Sequence, residues 1–332
     1  MWSFSVSVYK HLLYLILFSC ISSAVAAQNQ SESVYRFLTI NPDARSAGLG
    51  GSHAAMINPT SAQFVINPAF LNRSETDRVY LSYLNHLGDI RYGTANYARE
   101  LPGFGNVSAS LRYLSYGALT RFDEMGNDLG SASANDLALT VGFGTSLTNQ
   151  LSYGLSITGI HSSLIGYRSS AVSFSGGLLY NLEGRETSIG AYLNNAGAQI
   201  TTYNGLSESL PLNLALGIAH RLQYIPVRLH FTLKNLNNWP LEYADDETIP
   251  SFFDALPRHI TGGAEFLFGE RVSARIGFDP WLNNQTRTGK RIDGAGFSFG
   301  FAIHLNTIDI DFSRTSFSDM GSVVQLGIGL KL

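Results

Sequence analysis

From Arg78 to the end of the chain, apolar side chains recur at every second position, the pattern of strands whose successive side chains point to opposite faces. Leu137, Leu139, Val141 and Phe143 alternate with Asp136, Ala138, Thr140 and Gly142. Val227, Leu229, Phe231 and Leu233 alternate with Arg228, His230, Thr232 and Lys234, and Ile308, Ile310 and Phe312 with Asp309, Asp311 and Ser313. The pattern predicts fourteen strands, near 78–86, 90–100, 105–116, 133–145, 151–163, 170–180, 186–194, 212–221, 227–236, 258–267, 271–279, 295–304, 308–316 and 323–332. At about 18 residues for each strand with its connection, the spacing suits ~10-residue membrane-crossing strands in even number. Short connections are predicted at 101–104, 146–150, 182–185, 223–226, 268–270 and 305–307, and longer ones at 117–132, 195–211, 237–257 and 280–294. Both barrel ends then fall on the short-turn side, which faces the periplasm in outer-membrane barrels.

Alternation also fits a soluble barrel or sandwich with its oily face turned inward. Ring size separates the two. About eight strands fill a closed interior with side chains, whereas fourteen leave a wide lumen that an inward oily layer does not close. Turned outward into lipid, the same layer leaves every backbone group paired and no sheet edge exposed. Composition supports that choice: 14% of residues are charged, against about a quarter in a soluble domain. The chain has 33 Gly, 20 Phe and 16 Tyr. Tyr80, Tyr92, Tyr97, Tyr113, Tyr116, Tyr180 and Tyr192 lie toward segment ends and are expected in aromatic girdles at the two membrane interfaces. A net charge of -3 with four lysines offers no basic stripe for nucleic acid, and the single Cys20 excludes an internal disulfide or a cysteine-based zinc site.

Residues 1–27 are expected to be a signal peptide: an apolar run over 12–27 follows Lys10 and ends in Ala24 and Ala26 in an A-x-A arrangement. Residues 28–77 do not alternate. Broken by Pro42, Pro59 and Pro68, yet carrying Phe37, Leu38, Leu49, Phe64, Val65, Phe70 and Leu71, they predict a periplasmic or plug segment with short helices. Too many apolar groups are present to leave in water, and the lumen has room for them. Residues 78–332 are the predicted transmembrane barrel.

Candidate chemistry is sparse. Gly296-Phe297-Ser298-Phe299-Gly300 matches G-x-S-x-G, but inside a strand without the turn into a helix that exposes a nucleophile. Ser7 to Lys10 matches S-x-x-K only within the expected signal peptide. His53, His86, His161, His220, His230, His259 and His304 show no metal-ligand spacing, and no cofactor is expected. Asp123, Glu124, Asn127 and Asp128 read as an acidic solvated turn rather than a calcium loop. Arg228, Lys234, Arg275, Asp309 and Asp311 fall at inward positions, where pairing with one another or with a plug is expected, because an unpaired charge in a confined lumen is costly.

The chain resembles the PorV/PorQ family of FadL-like outer-membrane barrels of the Bacteroidota type IX secretion system. The resemblance rests on Ala44-Arg45-Ser46-Ala47-Gly48-Leu49-Gly50-Gly51 and Asn67-Pro68-Ala69, then Tyr116-Gly117 with Phe122-Asp123-Glu124 and Gly126-Asn127, then Arg258-His259-Ile260, and finally 294–300. The chain departs from general barrel habit by ending in Leu332 rather than an aromatic residue. The resemblance implies a FadL-like fourteen-stranded antiparallel barrel in the outer membrane and a non-enzymatic role in the surface attachment complex. There it would anchor a PorZ-like surface protein and support PorU- and PorV-dependent attachment of cargo. The long loops 117–132, 195–211, 237–257 and 280–294 are the expected docking surface, and 237–257 is favoured: Trp239, Tyr243, Phe252 and Phe253 lie near Asp245, Asp246 and Glu247, aromatic anchors beside a charged rim, the other reading being interfacial aromatics that dip into lipid headgroups. The alternative is a FadL-like channel for hydrophobic solutes.

Overall fold

The computed structural model describes residues 33–72, 76–123, 125–182, 186–239, 251–288 and 293–332; the expected signal peptide lies outside the described residues. Fourteen strands follow one another as β1 (Arg78–Asn85), β2 (Arg91–Leu101), β3 (Gly105–Phe122), β4 (Asp128–Ser146), β5 (Leu151–Leu164), β6 (Tyr167–Leu182) and β7 (Thr187–Thr201), then β8 (Asn213–Arg221), β9 (Val227–Leu233), β10 (Ile260–Phe268), β11 (Val272–Phe278), β12 (Phe297–His304), β13 (Ile308–Ser316) and β14 (Ser322–Lys331). Each pairs antiparallel with its sequence neighbours, and β1 closes the ring on β14, Arg78 opposite Lys331 and Asn85 opposite Val324. Among the described residues no helix is long and apolar enough to cross a membrane.

The oily face is outside. On β12, Phe297, Phe299, Phe301 and Ile303 are exposed while Ser298 and Ala302 are buried. On β4, Leu137, Leu139 and Val141 are exposed while Ala134, Asp136, Ala138 and Thr140 are buried. A soluble barrel would reverse this order, so the exposed belt requires lipid. Tyrosines obey the same parity, which corrects the expected girdle. Tyr113 and Tyr180 are exposed outward, but Tyr80, Tyr92 and Tyr192 are buried on the inner face, and Tyr116 turns inward to donate to Asp136 Oδ2 at 2.8 Å.

The wall is uneven in height. β3 and β4 have 18 and 19 residues, against the ~10 needed to cross the membrane. β3 pairs with β2 only as far as Ser115, and β4 with β5 only from Ala134, so 118–122 and 128–132 stand clear as a two-stranded ribbon. The connections expected at 117–132 and 195–211 are therefore shorter, at 123–127 and 202–212. Two connections contain helices that the period-two reading did not predict: α2 (Phe252–His259) before β10, and α3 (Pro280–Thr286) before β12.

Residues 33–72 form short helical pieces, among them α1 (Ala44–Gly48) and the 3-10 turns Arg36–Thr39, Ser61–Val65 and Pro68–Asn72. They bond to side chains of the inner wall face. Thr94 Oγ1 donates to Pro42 O at 2.9 Å, Asn106 Nδ2 to Leu71 O at 2.5 Å and Gln325 Nε2 to Asn41 O at 3.1 Å. Phe64, Phe70, Leu49 and Leu71 are fully buried there.

Candidate functional site

Two places concentrate interactions: the seat where the N-terminal segment meets side chains of the barrel wall, and the rim carrying the longest connections. At the seat, Asp43 caps α1, one oxygen accepting from Ser46 N at 3.0 Å and the other from Thr60 Oγ1 at 2.9 Å. Burial nevertheless raises the Asp43 pKa above its ordinary value, against the lowering by these hydrogen bonds. Thr60 N in turn donates to Gln63 Oε1 at 2.9 Å, and Gln63 Nε2 to Ser46 Oγ at 3.1 Å, so the pieces are tied together as well as to the wall.

Arg45 leaves α1 toward β10, where Nε and Nη2 meet the two oxygens of Glu265 at 3.1 and 2.8 Å. Its guanidinium also donates to Ile57 O and Asn58 O of the segment, at 3.0 and 2.5 Å. Glu265 additionally accepts from Arg228 Nη1 at 3.1 Å and Arg275 Nε at 2.9 Å, and Arg275 Nη1 reaches Asp311 Oδ1 at 2.5 Å. Glu265, Arg275 and Asp311 are almost completely buried, so these are charge-assisted bonds in a low-dielectric setting. Around the ring, Lys234 pairs with Asp279 at 2.5 Å, and Arg78 and His304 pair with Asp309. Every inward charge singled out from the sequence thus has a partner. Arg45 and Glu265, which join the segment to the wall, were not among them.

Backbone also meets backbone at this seat. A side chain at Gly154 would place its Cβ 2.2 Å from Pro68 C, and one at Gly277 would come within 2.0 Å of Leu49 C. Only a missing side chain lets the segment approach so closely. Asn67 sits over this contact, donating from Nδ2 to Ala54 O at 2.8 Å and accepting at Oδ1 from Ala69 N at 3.0 Å. The histidine of the segment, His53, donates from Nε2 to Leu49 O at 3.0 Å, which leaves Nδ1 to accept from the Thr232 hydroxyl at 3.3 Å. Burial lowers its pKa to about 4, so it is neutral at pH 7.

At the rim, α2 is capped by Ser251 and ends at His259, whose ring nitrogens lie 2.7 Å from Lys234 O and 3.0 Å from Trp239 O. The Trp239 indole is sandwiched between His259 and Phe252, with ring centroids at 4.4 and 4.6 Å and interplanar angles of 8° and 16°. Phe253 meets Phe252 edge-on at 5.5 Å. Of the residues expected to dock a partner, the fold brings Trp239, Phe252 and Phe253 into one aromatic stack; Tyr243, Asp245 and Asp246 lie outside the described residues. His259 completes the stack, a role that its isolated position in the sequence did not announce. Phe252 and Phe253 are 58% and 79% exposed, an apolar pair open at the rim.

The other motifs take structural places. Ser298 faces the lumen on β12, its Oγ 3.0 Å from Thr315 Oγ1. The Asp123 carboxylate is occupied within its own turn by Met125 N, Asn127 N and Asn127 Nδ2, at 2.8–2.9 Å, and the Asn127 bonds lower its pKa. Glu124 lies outside the described residues.

The family described as "Type IX secretion system protein PorV" matches residues 24–226, which hold all of the described N-terminal segment and β1 to β8. The chain belongs to the PorV family. No curated protein sequence matches it. Among solved structures, the Ralstonia pickettii toluene transporter TbuX is similar, with TM-score 0.54 and 14% identity over 90% of this chain and 98% of that one. The Pseudomonas putida toluene transporter TodX has TM-score 0.53 and 16% identity over 87% and 97%. A Pseudomonas aeruginosa FadL homologue has TM-score 0.53 and 10% identity over 90% and 99%. At such identities the likeness is one of fold alone: this PorV-family chain has a FadL-like fourteen-stranded barrel.

Proposed function

We propose that this PorV-family barrel acts as a surface anchor of the type IX attachment complex, in the manner of the PorQ branch. It holds a PorZ-like protein at the long-connection rim and supports attachment of cargo by PorU and PorV, without catalysing a reaction itself. In this reading the signal peptide directs export, both barrel ends face the periplasm, and residues 28–77 plug the lumen. The observation that carries the proposal is the joining of Arg45 to Glu265. A barrel whose interior is tied shut by buried ion pairs is suited to holding loops rigidly rather than to passing solute. The exposed Phe252 and Phe253 beside the Trp239 stack supply apolar anchors for a partner.

The second reading, a channel for hydrophobic solutes, draws on the shared fold with toluene transporters. Against it stands the inner face itself: Ser82, Thr94, Asn96, Ser108 and Arg112 are polar, and the apolar Leu84, Tyr92 and Leu114 cluster with Tyr35, Phe37 and Leu38 of the N-terminal segment, which leaves an apolar solute little to bind. Affinity isolation of the intact protein from outer membranes in mild detergent tests the two. An anchor co-purifies with a PorZ-like protein and gives liposomes no saturable toluene uptake; saturable uptake without a surface partner would favour the channel.

A further inference from the structure

On the outer wall, β13, β14, β1 and β2 lie side by side. Arg314 is opposite Val324, Val324 opposite Asn85, and Asn85 opposite Arg91, so the four residues form one row across the four strands. They share the outward parity of Tyr83 and Leu326, and each stands within three residues of the long-connection end of its strand. We propose that this patch binds a phosphorylated glycolipid, its phosphates on Arg91 and Arg314 and an acyl chain along β2.

Charge selects the headgroup. Among the outward positions of these four strands only Arg91, Arg99 and Arg314 are charged, and Arg99 lies toward the short-turn end. Arg91 and Arg314 are exposed, and among the described residues no ion pair reaches either. Asp89, two positions before Arg91, packs against Gly117 instead. Arg314 Nε donates to Ser322 Oγ at 2.8 Å, which orients the guanidinium and leaves its terminal nitrogens for a ligand. Such a fork matches two phosphate oxygens. Arg91 and Arg314 are three strand spacings apart, about 14–15 Å, with the exposed Asn85 carboxamide between them. One phosphate does not span that distance, whereas two phosphates on a disaccharide do, and the sugar hydroxyls meet the carboxamide.

Shape selects the tail. Beyond Arg91 the outward positions of β2 are Gly93 and Ala95, flanked by Tyr83 and Leu81 on β1 and by Tyr113 and Leu111 on β3. All four flanking side chains are exposed, and a Cβ at Gly93 would meet only Ser82 O, at 3.8 Å. Small residues between two apolar walls make a furrow that starts at Arg91 and runs down the strand into the lipid belt, a bed for an acyl chain. A lone arginine at a membrane interface snorkels toward any headgroup. The furrow and the second, pre-oriented guanidinium add a fixed geometry that a glycolipid with two phosphates meets.

The site rests on the reading that the long-connection rim faces the cell exterior. The test is native mass spectrometry of the full chain, released from detergent micelles doped in turn with an acylated glucosamine disaccharide bearing two phosphates, the same lipid without phosphate, and phosphatidylglycerol. Retention of the bisphosphorylated lipid at least tenfold above the other two is expected. Arg91→Gln combined with Arg314→Gln is expected to cut it at least tenfold, Gly93→Leu, which fills the furrow without touching charge, at least threefold, and Arg99→Gln to leave it unchanged. Heat-modifiable gel mobility checks that each barrel is intact, and if the double variant fails that check Gly93→Leu decides alone. Equal retention of phosphatidylglycerol or of the unphosphorylated lipid, unchanged retention by the double variant, or an equal loss in Arg99→Gln overturns the proposal. Labelling of Met125→Cys, at the tip of the exposed ribbon, by a membrane-impermeant maleimide on intact cells separates the two readings. Labelled cells without selective retention overturn this site alone; unlabelled cells overturn the outward rim, and with it both the surface anchor and the leaflet this site requires.

Discussion

Arg45 and Glu265 are 220 positions apart in the chain and meet through two hydrogen bonds at 3.1 and 2.8 Å, both side chains nearly devoid of solvent. Glu265 is the more consequential partner, because Arg228 and Arg275 rest on the same carboxylate. Removing one member of a buried pair costs ~3–5 kcal/mol by leaving the other charge uncompensated. Glu265→Gln, which strands Arg45 and Arg228 and leaves Arg275 with Asp311 alone, is therefore expected to destabilise more than Arg45→Gln, which strands none. The relative loss of heat-resistant gel mobility in detergent checks the ranking.

Gly154 and Gly277 lie in the wall, but a side chain at either would strike the backbone of the segment rather than another strand. Gly277→Val is expected to leave the ring of strands closed while unseating residues around Leu49. Limited proteolysis reads the difference: cleavage within 33–72 with barrel mobility retained is expected, and loss of the folded barrel band would place the glycine's role in the wall.

His53 makes seating pH-dependent. Its seated pKa of about 4 lies below the ordinary 6.5, so a released segment takes up a proton on His53 where a seated one does not. The contribution of His53 is fully present above pH 6.5 and falls as pH drops toward 4, by about 3 kcal/mol in all. Asp43, with its raised pKa, acts in the opposite sense and partly offsets the loss. Protease sensitivity of residues 33–72 is expected to rise between pH 6.5 and 4. His53→Gln, which keeps a donor for Leu49 O without a titrating ring, is expected to flatten that rise.

Phe299 and Ser298 are neighbours on β12 with opposite fates, one facing lipid and the other buried toward the lumen. Phe299→Arg is expected to cost ~2–4 kcal/mol if it lies near the bilayer midplane. Folding yield into phospholipid vesicles measures it; a yield equal to the wild type would show that the outer belt does not face lipid.

The strands were legible because lipid on one side and a polar interior on the other impose strict alternation, and most strand limits fell within two residues of the pattern. The tops of β3, β4 and β7 were not legible. Beyond the membrane both faces of the ribbon meet water, and runs such as Gly130-Ser131-Ala132-Ser133 carry no contrast. The inward tyrosines were misread although their parity was available: Tyr92 is in phase with Thr94 and Asn96, not with the oily positions. Glu265 could likewise have been placed from its phase with Thr261 and Gly263. The glycines that admit the N-terminal segment could not, since a glycine needed for close approach has the same symbol as one that merely fills a strand. At the rim, composition singles out Trp239, Phe252 and Phe253 as aromatics of one connection but not their stacking, and His259 enters the stack only because α2 turns it back onto the indole.

An anchor must keep its partner on the cell. The most direct measurement is surface immunolabelling of the PorZ-like protein on cells lacking this barrel, on cells with it restored, and on cells carrying Phe252→Ser together with Phe253→Ser. Release of the partner into the medium without the barrel, recovery on restoration, and reduced retention with the rim variant are expected. Undiminished labelling of cells that lack the barrel altogether would contradict the anchoring role.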